Sequence, residues 1–105
     1  MFNLRQITGF DWDDGNIRKS ADKHKVSQPE AEQIFFNQPL LILPDFDHSQ
    51  QETRFHALGK TDDKRNLHIT FTLRTKLENQ LIRITSARDM HRKERYEYEQ
   101  TQKNT

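Results

Sequence analysis

The sequence contains no cysteine, which excludes disulfides, thiolate-bound zinc, iron–sulfur clusters and a cysteine nucleophile. Hydrophobic residues make up only 31% of the 105 positions. No run approaches the roughly 20 apolar residues that a membrane helix needs. Residues 1–10 also lack the basic start and apolar run of a signal peptide. We therefore expect a cytoplasmic protein that has no membrane partner.

Charge is abundant, and it is unevenly distributed along the chain. Residues 1–52 hold five Lys/Arg against nine Asp/Glu, a sum of −4, whereas residues 53–105 hold twelve against seven, a sum of +5. A basic half is typical of proteins that bind polyanions, although ordinary solvated faces give the same count. Ten aromatic residues (seven Phe, two Tyr and one Trp) argue for a folded chain, and the length predicts one domain over residues 1–105.

Hydrophobic periodicity predicts an α+β fold. Residues 1–9 form either a first strand or a loose tail, and residues 13–25 form a helix. A second helix begins at the capping box of Ser27 and Glu30, with Val26 and Ala31 as its hydrophobic staple. Strands are predicted over residues 40–43, 53–60, 66–74 and 81–87, and a last helix from 89 to about 102, with 100–105 as a frayed tail. Together they predict an antiparallel sheet of four to five strands, with two N-terminal helices and one C-terminal helix packed on one face.

Alternation along the last three strands separates an apolar face from a polar one. The apolar face carries Phe55, Ala57, Leu67, Ile69, Phe71, Leu73, Ile82 and Ile84. The opposite face, called the polar face below, carries Arg54, His56, His68, Thr70, Thr72, Arg74, Arg83 and Thr85. A solvated face normally alternates in this way, but three arginines with no carboxylate among them repel one another unless an anion lies between them. The polar face is therefore either a solvated surface or an anion site.

The order and spacing of many residues resemble the BrnT family, toxins of type II toxin–antitoxin systems. The matching stretches are Phe10-Asp-Trp-Asp13, Lys23-His24, Val26-Ser27, Glu30-Ala31, Phe35, Leu43-Pro-Asp45, His48-Ser49, Glu52, Arg54, Gly59, Arg83-Ile84, Ser86-Ala87-Arg88 and Glu94-Arg95-x-x-Tyr98. The resemblance implies a RelE-like fold and an endoribonuclease that arrests growth by cutting RNA. It also implies a BrnA-like antitoxin with a ribbon-helix-helix part. The resemblance further implies that operator DNA is bound only through the complex of toxin and antitoxin. The hairpin over residues 74–82 is longer than in the short version of the family.

Metal-free RNA cleavage needs a base, an acid and positive charge at the phosphate. We expect Arg54, Arg74 and Arg83 to supply the charge, with Arg88 behind them at the start of the last helix and Thr72 beside them as substrate contacts. His56 and His68 are candidates for substrate contact and for proton transfer.

Three further candidates have structural alternatives. Glu52 is a candidate base or an orienter of Arg54, unless the two form a surface ion pair. Lys23 and His24 are candidates at the rim of the polar face, unless His24 only caps its helix.

No cofactor and no metal ion is expected. Asp45, Asp47 and His48 resemble a metal cluster but lack the glycine and glutamate of a calcium loop, and a hydrophilic turn is the favoured interpretation. Two functions remain open: a metal-independent endoribonuclease, and a non-catalytic module whose basic sheet binds nucleic acid or an acidic protein.

Overall fold

The computed structural model describes residues 4–13, 15, 18, 21, 23–47 and 53–103. The elements with defined bounds are β1 (Ile7–Asp11), α1 (Gln28–Gln33), β2 (Leu41–Asp45), β3 (Arg54–Lys60), β4 (Asn66–Lys76), β5 (Asn79–Asp89) and α2 (Arg92–Lys103). Short 3₁₀ helices precede β1 (Leu4–Gln6) and continue α1 (Ile34–Phe36). None of the helices in these described ranges is long and apolar enough to span a membrane.

The five strands form one mixed sheet in the order β1-β5-β4-β3-β2. Strands β2 to β5 are antiparallel to their neighbours, as predicted, but β1 pairs with β5 in parallel. The expectation of a wholly antiparallel sheet is therefore wrong. Short turns fix the directions of β3, β4 and β5, whereas a long connection through α1 separates β1 from β2, so no hairpin constrains β1.

Strand β1 covers residues 7–9 of the predicted first strand or tail, and residues 4–6 form a 3₁₀ helix. The predicted α+β class is confirmed, but the structure gives bounds for two α-helices instead of three. Six of the 13 residues of the helix predicted over residues 13–25 lie outside the described residues, and residues 15, 18, 21, 23 and 24 are helical.

Helix α1 packs on the apolar face of the sheet. Its capping box is formed as predicted: the Ser27 hydroxyl accepts from the Glu30 N–H, and the Glu30 carboxylate accepts from the Ser27 N–H at 3.0 Å. Ala31 and Ile34 are fully buried, and the Phe35 ring packs edge-on against Phe71 at 5.3 Å. Burial of this aromatic and aliphatic surface holds the helix on the sheet.

Gly59 in β3 allows the 3₁₀ helix that continues α1 to approach the sheet closely. A Cβ atom at Gly59 would lie 2.9 Å from the Cβ atom of Ile34, closer than packed carbon atoms can come. A glycine in a strand often marks such a close backbone approach.

Helix α2 lies on the opposite face, which corrects the expectation that all helices cover one side. Tyr98 packs with Leu58 and Met90 in a small second core, and its hydroxyl donates to the Pro39 carbonyl at 2.6 Å. Leu58 has the same strand parity as Arg54 and His56, so α2 covers one end of the polar face.

The ends of β4, β5 and α2 also differ from the predictions. Strands β4 and β5 extend to a two-residue turn of Leu77 and Glu78, in place of a loop over residues 75–80. Asp89 closes β5 opposite Leu67 and does not begin the last helix. Helix α2 continues to Lys103, one residue beyond the predicted end near residue 102.

Candidate functional site

One residue from each strand contributes to a polar row that crosses the whole sheet. In register, the row reads Asp45, Arg54, Thr72, Arg83 and Asp11. Paired residues point to the same face, so two arginines flank the central Thr72 and two carboxylates occupy the edges. Arg74 follows Thr72 by two positions on β4 and shares its face. The arginines predicted as a group therefore do lie together on the polar face.

The carboxylates at the edges correct the expectation that the arginines stand without counter-charges. Arg83 donates to the Asp13 carboxylate at 2.8 Å, and Lys76 lies 3.3 Å from Asp11. Alternation predicts the faces of the three central strands only, whereas these acids come from β1 and the residues that follow it. The polar face is thus positive at its centre and negative at its rim.

His56 lies in a cleft next to this row, and both of its ring nitrogens have contacts. Its Nε2 atom is 2.9 Å from an Asp45 carboxylate oxygen, and its Nδ1 atom is 3.2 Å from the Thr70 hydroxyl. The cleft has a volume of about 560 Å³ and is lined by Asp45, Asp47, Arg54, His56, Thr70, Thr85 and Ser86. An imidazole held by a carboxylate beside a guanidinium is an arrangement suited to proton transfer at a phosphate.

Asp45 is the residue of this cleft that sequence analysis missed. It was assigned to a hydrophilic turn, but it ends β2 in register with Arg54 and is only 9% exposed. Its position two residues after Leu43 in a continuing strand, on the same face, was the signal that could have placed it. Buried carboxylates need partners, and His56 provides one here.

A β-bulge in β5 increases the number of hydroxyl groups in the cleft. Thr70 pairs with Ser86 and Phe71 with Ile84, so Thr85 is the extra residue between them. Thr85 donates to the Thr70 carbonyl at 3.1 Å. The bulge also reverses the parity of the rest of β5, and bulges frequently re-aim side chains next to functional sites.

Because of this reversal, Arg88 lies on the polar face opposite His68 and not, as expected, at the start of the last helix. Glu94 of α2 accepts two bonds from the Arg88 guanidinium, at 2.8 and 2.9 Å. Burial opposes the charge of Glu94, but the bonds from Arg88 and from the His91 N–H outweigh it and lower its pKa to about 2. This ion pair stabilises the packing of α2 on the sheet.

His68 is covered by the same helix. Burial, and next the charge of Arg88, lower the pKa of His68 to about 4, so its ring is uncharged at neutral pH. The His56 and His68 ring centroids lie 4.8 Å apart. A second pocket of about 260 Å³ begins there and is lined by Leu43, His56, Leu58, His68, Arg88, Glu94 and Glu97.

Comparison with known protein families identifies the family of the chain. The model of BrnT, the ribonuclease toxin of type II toxin–antitoxin systems, matches residues 12–94, and this range includes the polar row from Asp45 to Arg83. The chain belongs to the BrnT family. No curated protein matches the sequence.

Within this BrnT chain, seven of the predicted site residues share the polar face. They are Arg54, His56, His68, Thr72, Arg74, Arg83 and Arg88. His24 lies far from Arg83, since its carbonyl accepts from Arg65 near the Asp89 end of β5, and Lys23 precedes it in the chain. That end is roughly 20 Å along the strand from Arg83. Glu52 and His48 lie outside the described residues.

Arg65 is a structural residue that sequence analysis did not single out. Its guanidinium binds Asp89 at 2.7 and 3.0 Å, Glu30 at 3.1 Å, and the carbonyls of His24 and Lys25. These bonds join the β3–β4 turn to the capping box of α1 and to the end of β5. A forked cation is suited to such a multiple contact, and it lies away from the cleft.

The structure groups no three His, Asp or Glu side chains of the described residues at metal-binding distances. Asp45 and Asp47 both line the cleft, but Asp45 contacts His56.

Proposed function

We propose that this chain, a type II ribonuclease toxin by family, cleaves RNA in the cleft at Arg54 and His56 without a metal ion. One observation carries the proposal: the His56 imidazole is held between a buried carboxylate and a hydroxyl, directly beside an arginine, in an open cleft. The cleft therefore combines a proton-transfer group with a phosphate-binding group.

The Nδ1 atom of His56 is the proposed base, because Nε2 faces Asp45. It replaces its contact with Thr70 by one with the RNA and takes the proton of a 2′-hydroxyl. The 2′-oxygen then bonds to phosphorus, and the bond from phosphorus to the 5′-oxygen breaks. Water in the open cleft protonates the leaving 5′-oxygen, and the hydroxide that remains takes the proton back from the His56 imidazolium. The products therefore end in a 2′,3′-cyclic phosphate and a 5′-hydroxyl. Asp45 stabilises the imidazolium that forms.

The arginines stabilise the charge that develops on the phosphate. Arg54 borders the cleft and pairs with Thr72. Arg83 pairs with Thr72 from the other side, and Arg74 follows Thr72 by two positions on the same strand. Fixed guanidiniums supply the positive charge that a metal ion supplies in other nucleases. Arg83 exchanges or shares its ion pair with Asp13 when the phosphate binds.

In the cell, we place this toxin in the cytoplasm, where cutting RNA arrests growth. A BrnA-like antitoxin with a ribbon-helix-helix part neutralises it by covering the polar face with acidic or hydrophobic side chains. Operator DNA is bound only through that complex. The fold proposed from the family is RelE-like.

Incubation of the purified chain with RNA in excess EDTA tests the proposal. We expect cleavage in EDTA, and loss of cleavage in the folded variant Arg54→Ala. Activity that disappears in EDTA and returns with Mg²⁺ would overturn metal independence. RNA binding without any cleavage, together with normal growth on expression, would favour the non-catalytic binding module.

A further inference from the structure

We propose that the smaller pocket beside His56 binds one RNA base and prefers guanine, an inference that rests on the proposed RNA cleavage. The pocket shares His56 with the cleft, and its volume of about 260 Å³ accommodates a single purine ring system. A phosphate in the cleft would therefore bring an adjoining base to the pocket.

The walls of the pocket suit a flat heterocycle. Leu43 is 42% exposed on the edge strand β2, and Leu58 lies in the next row of the same face. The tilted rings of His56 and His68 add aromatic surface, and the polar side of the pocket comes from Arg88, Glu94 and Glu97. Aliphatic and aromatic side chains are the surfaces on which bases stack.

His68 forms part of the inner wall of this pocket and is only 7% exposed. Its Nδ1 atom is shielded from solvent and has no hydrogen-bond partner within the part of the chain that the structure describes. The residue therefore contributes ring surface to the pocket wall and not a hydrogen bond to the ligand.

The two carboxylates of the pocket differ in availability. Glu94 is occupied by Arg88 and by the His91 N–H. Glu97 follows one helical turn later, and its carboxylate makes no hydrogen bond or ion pair with the described residues. Glu97 is therefore the carboxylate that remains for a ligand.

A carboxylate only accepts hydrogen bonds, which selects among the four bases. Guanine presents two adjacent donors, N1–H and the N2 amino group, and so matches both oxygens of Glu97. Adenine and cytosine place an acceptor next to their amino group, and uracil has a single N–H between two carbonyls. Guanine is the base that the Glu97 carboxylate binds without a repulsive contact.

The spacing along β3 agrees with one nucleotide bridging both sites. His56 and Leu58 are two residues apart on the same face, about 7 Å. This separation is comparable with the distance from a phosphate to the base of its own nucleotide.

Binding of short 2′-O-methyl RNAs, which cannot be cleaved, tests the base preference by fluorescence anisotropy. We expect an oligomer with one guanine to bind about tenfold tighter than its adenine counterpart, with inosine between them. Glu97→Gln should reduce this difference to less than about threefold. Glu99→Gln is the matched control, because Glu99 is exposed on the same helix and does not line the pocket.

Equal affinity for all bases, or a guanine preference that Glu97→Gln leaves unchanged, would overturn the inference. Cleavage of unmodified RNA without base preference would contradict the guanine preference of this pocket but not the catalytic proposal. Guanine-selective binding without cleavage contradicts the catalytic proposal alone.

Discussion

His56 and His68 lie on the same face of the same sheet, in ring contact, yet their environments differ completely. The His56 side chain is 32% exposed and faces an open cleft, whereas that of His68 is 9% exposed beneath α2. The Asp45 carboxylate contacts His56, and burial keeps His68 uncharged. Strand parity alone makes the two histidines equivalent. The position of α2 distinguishes them, because it leaves His56 open to the cleft as a candidate for proton transfer and makes His68 part of a pocket wall.

The largest expected effect separates the two histidines. His56→Gln should slow RNA cleavage about a hundredfold or more, because the proposed base is lost. His68→Gln should leave the rate at saturating RNA within about threefold and should act on binding and stability. Single-turnover rates for both variants, with circular dichroism as the folding control, make the comparison. Equal losses of rate in the two variants would contradict the assignment of His56.

Two arginines extend the comparison to the opposite ends of the face. Arg54→Ala should raise the reaction barrier by roughly 2–4 kcal/mol with little change in folding, and Arg54→Lys should restore only part of the rate. Arg83→Ala and Arg74→Ala should reduce the rate in the same direction. Arg88→Ala should instead lower the melting temperature, since it leaves the partly buried Glu94 without its cation. A melting temperature that falls more in Arg54→Ala than in Arg88→Ala would contradict the assignment of Arg54 to the reaction and of Arg88 to stability.

The sequence was sufficient to predict the central part of this site. Strands β3 and β4 alternate without interruption, so Arg54, His56, Thr72 and Arg74 could be placed on one face from parity alone. The capping box of Ser27 and Glu30 is likewise a local signal, and it was predicted correctly.

The remaining features depend on contacts between distant segments. The bulge at Thr85 moves Arg88 onto the polar face, and no local pattern marks it. Asp45 reaches the cleft only because β2 pairs with β3, and His68 is buried only because α2 crosses the sheet. The parallel pairing of β1 with β5 joins segments about 70 residues apart in the chain. Such long-range pairings are set by tertiary packing and not by local propensity.

The buried end of the face should make folding sensitive to acid. The pKa of His68 is about 4 in the folded protein and near 6.5 in the unfolded chain, so the unfolded state binds its proton first. Stability should fall as the pH decreases from 6.5 to 4, by at most about 3 kcal/mol from this group. Chemical denaturation across this range should show a smaller fall in His68→Gln. An identical pH dependence in the two proteins would contradict the burial of an uncharged His68.

The smallest expected effect concerns the β4–β5 turn, which contains no proposed catalytic group. Leu77 and Glu78 have φ angles of 48° and 71°, values that favour Asn and Gly in a two-residue hairpin. Replacing them with Asn-Gly should stabilise the protein by about 0.5–1 kcal/mol, because Asn and Gly adopt this left-handed conformation at a lower cost than Leu and Glu, and should leave cleavage unchanged. Thermal unfolding and a cleavage assay measure the two quantities, and a change in rate would connect the turn to the cleft.

Analysis of the RNA ends left by the purified chain in excess EDTA tests the central claim most directly. Proton abstraction by His56 predicts 2′,3′-cyclic phosphate and 5′-hydroxyl ends, which form at least about a hundredfold more slowly with His56→Gln. Products with 5′-phosphate ends, or an undiminished rate in the folded His56→Gln variant, would contradict the account.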